Sequence, residues 1–290
     1  MPAASPAPHI AFGGEPIRRD VLLARLDTHR AAGTLLRAGA RWTGTEGTPA
    51  GCIAGDDDPM VFVRVTGFPA ALGLLLDFVC ARSCEDAAAA AALAAGWLSR
   101  ATPGADLSGV PGRIMLAFLG EAVPPDEPEV EAAREAVAAL HRRAAGDPCD
   151  RAAWRRARAL AVAATDAARG PAGQRIGRLV EAAAWDPLTS PSCLQDAASA
   201  WCEVRAHDAA AATGWTAADD EAVERCFQAC RGESLAAGER PETFAFPPRF
   251  QAREPALARR FVAQLEAANA AYPRAVAKVG QLCADHLAAA

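Results

Sequence analysis

Alanine supplies most of the apolar half of this sequence, and that one choice narrows the fold more than any motif does. Hydrophobic residues make up 51% of the 290 residues, yet aromatics only 6%. Alanine loses no side-chain entropy in a helix and offers little surface to a cross-strand neighbour. Long helices that approach closely through small side chains are therefore expected. At 22%, charged residues are too few, and apolar residues too many, for a disordered chain. The sequence predicts an all-α protein, a helical bundle or stacked helical hairpins, interrupted by one long glycine-rich loop at residues 41–55.

Proline, glycine and short polar residues mark the ends of the expected helices. Residues 17–38 carry Val21, Leu22, Leu26, Leu35 and Leu36 on an amphipathic pattern that Gly39 ends. Residues 60–65, MVFVRV, read as a short strand or extended connector. Pro69 opens a core helix through Leu72, Leu75, Leu76, Val79 and Cys80, and Asp86 caps the alanine run that follows. Asp106 or Ser108 starts a further helix with Val110, Ile114, Met115, Phe118 and Leu119. The proline-rich, acidic stretch 121–129 reads as a linker. It divides the chain into a tail at 1–16, an N-terminal helical domain at 17–122 and an alanine-rich helical domain at 129–290. Beyond it, start signals at Asp126 with Pro128, Asp147 with Asp150, Gly170 with Pro171, Ser190 with Pro191, and Thr216 with Asp219 predict five successive helices. Residues 238–250, with three phenylalanines, read as an extended segment laid on the helices, and Pro273 as a kink or split in the last one.

Charge and cysteine usage exclude several classes. The net charge is -5 and the basic residues are interspersed with acids, which argues against nucleic acid or anionic lipid as partner. Arginines 151, 155 and 158 follow helical spacing and read as a solvated face ahead of a phosphate-binding stripe. No apolar run is long enough to span a bilayer, and the N-terminus lacks the pattern of a secretory signal. Nine cysteines, an odd number, then suggest free thiols in a reducing cytoplasm.

Five segments stand in a distinctive order: DTHR with His29, RWTG with Trp42, EGTPAGC with Cys52, GFPAALGLLLDFVC over 67–80, and PGADLSGV over 103–110. Residues 17–120 in this respect resemble a group of uncharacterised bacterial helical proteins with a histidine helix, a tryptophan, a glycine-rich cysteine loop and a GADLS-like segment. The chain departs from that pattern at Thr48, where the group carries the loop's first cysteine. The resemblance implies a helical fold and attaches no activity. Trp42 and Asp106 lie in its segments, and with Phe244 and Phe246 of the aromatic stretch they are the candidate binding residues.

Chemistry points first to Cys52. It follows Gly51 in the glycine-rich loop, where backbone donors can face a sulfur, and His29 comes near if its helix folds back. Both features favour a thiolate, which makes Cys52 and His29 the candidate catalytic pair. Cys80 with Cys84, and Cys226 with Cys230, are spaced to share a helix face, but structural zinc sites use closer cysteines on turns, so no metal site is expected. Asp56, Asp57 and Asp58 read as a solvated turn, and no cofactor is indicated. Two functions stand: a binding or protein-interaction module with a groove between alanine-rich hairpins for a small molecule or protein partner, or a thiol-dependent enzyme or redox sensor centred on Cys52. The first is also compatible with a homo-oligomer, and the sequence leaves open whether the chain is an enzyme.

Overall fold

The computed structural model describes residues 8–122, 126–144 and 150–290. Among the described residues every α-helix or strand element is helical. In chain order these are α1 (Pro16–Ala31), α2 (Pro49–Ala54), α3 (Pro59–Thr66), α4 (Ala70–Ser83), α5 (Ala87–Arg100), α6 (Val110–Glu121) and α7 (Pro128–Ala144). There follow α8 (Arg151–Ala167), α9 (Pro171–Ala183), α10 (Cys193–Ala211), α11 (Ala217–Ala236), α12 (Phe246–Arg253) and α13 (Pro255–Ala288). The five helix starts expected beyond residue 126 appear as α7 to α11; Asp147 lies outside the described residues. Local chemistry accounts for them. Asp150 accepts from the Ala153 amide at 2.6 Å, Pro171 occupies the first turn of α9, and Thr216 with Asp219 forms a capping box.

Four sequence expectations change. Residues 60–65 are helical, because Pro59 presets the first turn of α3 and the Asp58 carboxylate accepts from the Met60 amide at 2.8 Å; these local bonds outweigh the strand preference of the valines. The first helix stops at Ala31, and five residues later Leu36 instead donates its amide to the Gly47 carbonyl; Gly33 takes the left-handed turn at φ +68°. Residues 238–250 hold a 3-10 turn at Pro241–Thr243 and the start of α12, whose first turn accommodates Pro247 and Pro248. Helix α13 continues through Pro273 and is not split there.

The chain divides into two compact units, Met1–Val204 with Arg274–Ala290, and Arg205–Pro273. The division expected at 122–129 does not coincide with this one, and α6 and α7 on either side of that stretch pack together. In the larger unit α7 packs on α8, and α8 on α9, while α1, α2, α3, α4 and α5 form the other set of neighbours. Its aromatic core includes Phe118 stacked on Trp201 at 5.3 Å, and the Trp97 indole donates to the Gly280 carbonyl. The smaller unit has its own core of Cys226, Cys230, Phe250 and Ala258, flanked by Phe244, Phe246 and Phe261. Asp219 joins it to Arg260 in a bidentate pair at 2.8 and 2.7 Å.

No single helix among the described residues is long and apolar enough to cross a membrane. The bent pair α3 and α4 passes on length and composition alone, but most of the apolar residues of α4 are buried in the core of the larger unit.

Candidate functional site

Two places in the larger unit gather chemistry-bearing side chains. The first is built around α2. Part of the stretch expected to be loop is this six-residue helix, and every one of its residues is buried. Its two ends are clamped by charge: the Asp77 carboxylate accepts from the Ala50 amide at 3.0 Å, and Arg25 donates to the Ile53 and Ala54 carbonyls at 2.9 and 3.3 Å. An acid at the N-terminus and a base at the C-terminus both complement the helix dipole. Close packing fixes the approach, since a Cβ on Gly51 would lie 1.6 Å from the Arg41 carbonyl oxygen and one on Gly47 2.1 Å from it.

The structure brings His29, Trp42 and Cys52 into this one neighbourhood. The His29 and Trp42 rings meet edge to face at 5.3 Å, and His29 Nδ1 is hydrogen-bonded to the Thr34 hydroxyl at 2.8 Å. Cys52 reaches the Thr34 carbonyl at 3.9 Å and the Gly47 carbonyl at 3.1 Å. His29 is in the neighbourhood, but the surroundings do not favour a thiolate. The backbone presents acceptors to the sulfur rather than donors, and burial pushes the thiol up to about 11, with the Asp77 charge adding to the effect. Burial and the neighbouring Arg25 charge lower His29, which favours its neutral form.

Arg41 and Asp77 are the residues that sequence reasoning missed here. All three guanidinium nitrogens of Arg41 are buried without a hydrogen-bond partner among the described residues, and the guanidinium lies over the Phe62 ring at 5.8 Å. Gly73 makes room for it, as a Cβ there would come 3.0 Å from Arg41 Nη2. Burial raises the Asp77 carboxyl to about 6, against the opposing pull of the Ala50 amide and the Arg41 charge.

Asp106 is exposed and elsewhere. It accepts from the Ser108 amide at 2.9 Å and pairs with Ile10 in an isolated bridge. Phe244 and Phe246 belong to the smaller unit, where both rings meet Phe227 edge to face, at 5.8 and 5.2 Å. The four-spaced cysteines Cys226 and Cys230 sit in that same core, and no set of three or more metal-ligating side chains converges among the described residues.

The second place is a groove of about 1080 Å³ along α8, closed on its other side by the turn that joins α9 to α10. Positions 151, 155, 158, 162 and 166 of α8 are spaced to share one face, and that face lines the groove. Arg151, Arg155 and Arg158 give its basic end, Val162 and Ala163 its apolar middle, and Asp166 its acidic end. Across from them stands Trp185, unmentioned by any sequence pattern and 36% exposed. The Arg158 guanidinium lies over the Trp185 ring at 4.2 Å and within 3.5 Å of a Glu181 oxygen, while its Nε is buried without a partner.

The groove wall also contains Trp154, only 5% exposed, whose indole N–H has no acceptor among the described residues. Buried indoles usually find an acceptor. Behind it His141 meets the indole edge to face at 4.9 Å and is held by the Ala183 carbonyl at 2.8 Å. Burial depresses His141 to about 4, so the imidazole is neutral near neutral pH.

No family model matches the chain, and no curated protein and no solved structure shows a significant match to it.

Proposed function

We propose that this protein is a binding protein that holds a small organic molecule in the α8 groove. The observation that carries the reading is the groove itself. Its volume, about 1080 Å³, lies at the upper end of the range of small-molecule pockets, and its lining combines apolar walls with a few convergent polar groups. The alternative, a thiol enzyme centred on Cys52, loses its main support, because that sulfur donates to a carbonyl and burial holds it as the thiol. Free thiols at Cys52, Cys80, Cys193 and Cys283 are consistent with a cytoplasmic setting, which we propose with the function.

The test is a thermal-shift screen of metabolite pools on the wild type and on Ala163→Trp. Ala163 is exposed on the groove face of α8, so a large ring there fills the groove while leaving the helix intact. Compounds that raise the midpoint of the wild type and not of the variant support the reading, since a ligand stabilises the folded state in proportion to its affinity. Equal shifts in both proteins, or none in either, would count against it.

A further inference from the structure

Resting on that reading, we infer that the ligand of the α8 groove is an aromatic organic anion, its planar ring stacked at Trp185 and its acidic group, sulfonate, phosphate or carboxylate, held by Arg158 and the exposed arginines beside it.

Charge complementarity carries this inference. Arg151, Arg155 and Arg158 converge on one end of the groove. Arg158 shares Glu181 at 3.5 Å, whereas Arg151 and Arg155 make no ion pair among the described residues. On the opposite wall the Asp186 carboxylate is occupied in its own turn, accepting from the Leu188 amide at 3.0 Å. That hydrogen bond leaves Asp186 its charge, but three arginines against Asp186 and Glu181 still give the arginine end a net positive charge.

The ring is carried by a different observation. A tryptophan that remains partly exposed with a guanidinium over one face offers a stacking surface that already has a cation fixed beside it. Arg158 Nε is buried and unpartnered, and so is the Trp154 indole N–H in the same wall. Both are donors and neither has an acceptor, which selects a ligand that brings acceptor atoms with it. A planar anion supplies the ring and the acceptors together, and arginine's fork suits a two-oxygen acidic group.

The experiment compares three probes that separate ring from charge: anilinonaphthalene sulfonate, its uncharged relative N-phenylnaphthylamine, and inorganic phosphate. Dye titrations and phosphate competition are run on the folded wild type, Arg158→Ala, Trp185→Ala and the control Arg156→Ala, which lies on α8 outside the groove lining. The expected result is one sulfonate dye bound per chain, at least about tenfold tighter than the uncharged dye, as a charge-assisted contact implies. Arg158→Ala should remove that preference, Trp185→Ala should weaken both dyes, and Arg156→Ala should change neither. Equal affinity for the two dyes, or a preference that survives Arg158→Ala, overturns the anion while leaving the binding reading in place. Phosphate that competes as well as the dye binds would overturn the ring. If neither dye binds the wild type and the Ala163→Trp screen is also blank, the binding reading itself falls.

Discussion

Around α2 and around α8 the same materials, an arginine, an aromatic ring and small residues, are put to opposite uses. Arg41 lies over Phe62 at 5.8 Å and Arg158 over Trp185 at 4.2 Å. Phe62 is 1% exposed and Trp185 is 36% exposed. Near α2 the glycines let backbone close on backbone, so the charges of Arg41 and Asp77 are sealed in and serve the fold. Near α8 the small residues Ala159 and Ala163 leave space, and the arginine and ring face a groove. A region that has closed around its charges has little left to offer a ligand, whereas one that keeps them facing a void does.

The largest effects should come from opening the α2 region. Gly51→Ala places a methyl 1.6 Å from the Arg41 carbonyl, a clash with backbone that no rotamer relieves. A loss of about 3 kcal/mol or more is expected, at the upper end of overpacking effects. Phe62→Ala should cost about 3–5 kcal/mol, as large-to-small changes of a buried ring do. Gly96→Ala in α5 meets nothing within 4 Å and should gain about 0.5–1 kcal/mol from helix propensity. Urea denaturation midpoints decide this, and a Gly51→Ala protein as stable as wild type would remove the distinction between the regions.

How far these regions were legible in the sequence follows the range of their interactions. Helix starts depend on residues a few positions apart, such as Asp150 with Ala153 and Thr216 with Asp219, and these were readable. Residues 60–65 are helical for an equally local reason, since Asp58 and Pro59 outweigh the strand preference of the valines that follow. His29, Trp42 and Cys52 do share a neighbourhood, but what decides the thiol's chemistry is the Gly47 carbonyl and the distant Asp77. The Asp77 contact with Ala50 and the Arg158 contact with Trp185 each span 27 residues and leave no local signature. The spacing of arginines 151, 155 and 158 was visible, yet only the α9–α10 turn makes a groove wall of that face.

Acid titration separates the regions next, because each holds one group whose protonation opposes the other's. Asp77 titrates near 6 in the fold against an ordinary 3.8, so the folded state binds its proton more tightly. Its contribution is complete below about 4 and is lost as pH rises through 6. His141 titrates near 4 against 6.5, so its contribution is complete above 6.5 and is lost as pH falls through 4. Between these limits the two slopes cancel, each about 1.4 kcal/mol per pH unit. Asp77→Asn should therefore gain stability relative to wild type as pH rises from 4 to 6, by up to about 3 kcal/mol. His141→Gln should lose it over the same range. Parallel curves for all three proteins would show that burial perturbs neither group.

Thiol labelling probes the same closure by rate. Burial holds Cys52 near 11, about two units above an unperturbed thiol, so at neutral pH its thiolate fraction is about 100-fold smaller. Cys84 is only partly buried and caps the end of α4. Iodoacetamide with peptide mapping should mark Cys84 ahead of Cys52, and Cys52 no faster than the buried Cys193. Cys52 labelled ahead of Cys84 in the folded protein would restore the thiol reading and reverse the roles assigned to the two regions.

The smallest effect on stability belongs to the groove. Trp185→Ala removes a ring that remains partly exposed, along with one guanidinium contact of a kind worth about 0.5–1 kcal/mol at the surface. Arg155→Ala removes an exposed charge with no ion pair among the described residues and should stay within about 0.5 kcal/mol of wild type. Phe62 and Trp185 both lie under an arginine, so the two ring truncations form a matched pair. Phe62→Ala should lose about 3–5 kcal/mol of unfolding free energy, and Trp185→Ala about 1 kcal/mol or less. A Trp185→Ala protein as damaged as Phe62→Ala would mean that the Trp185 ring serves the core. The groove would then be a packing defect between α8 and its neighbours, with its arginines no more than a solvated helix face.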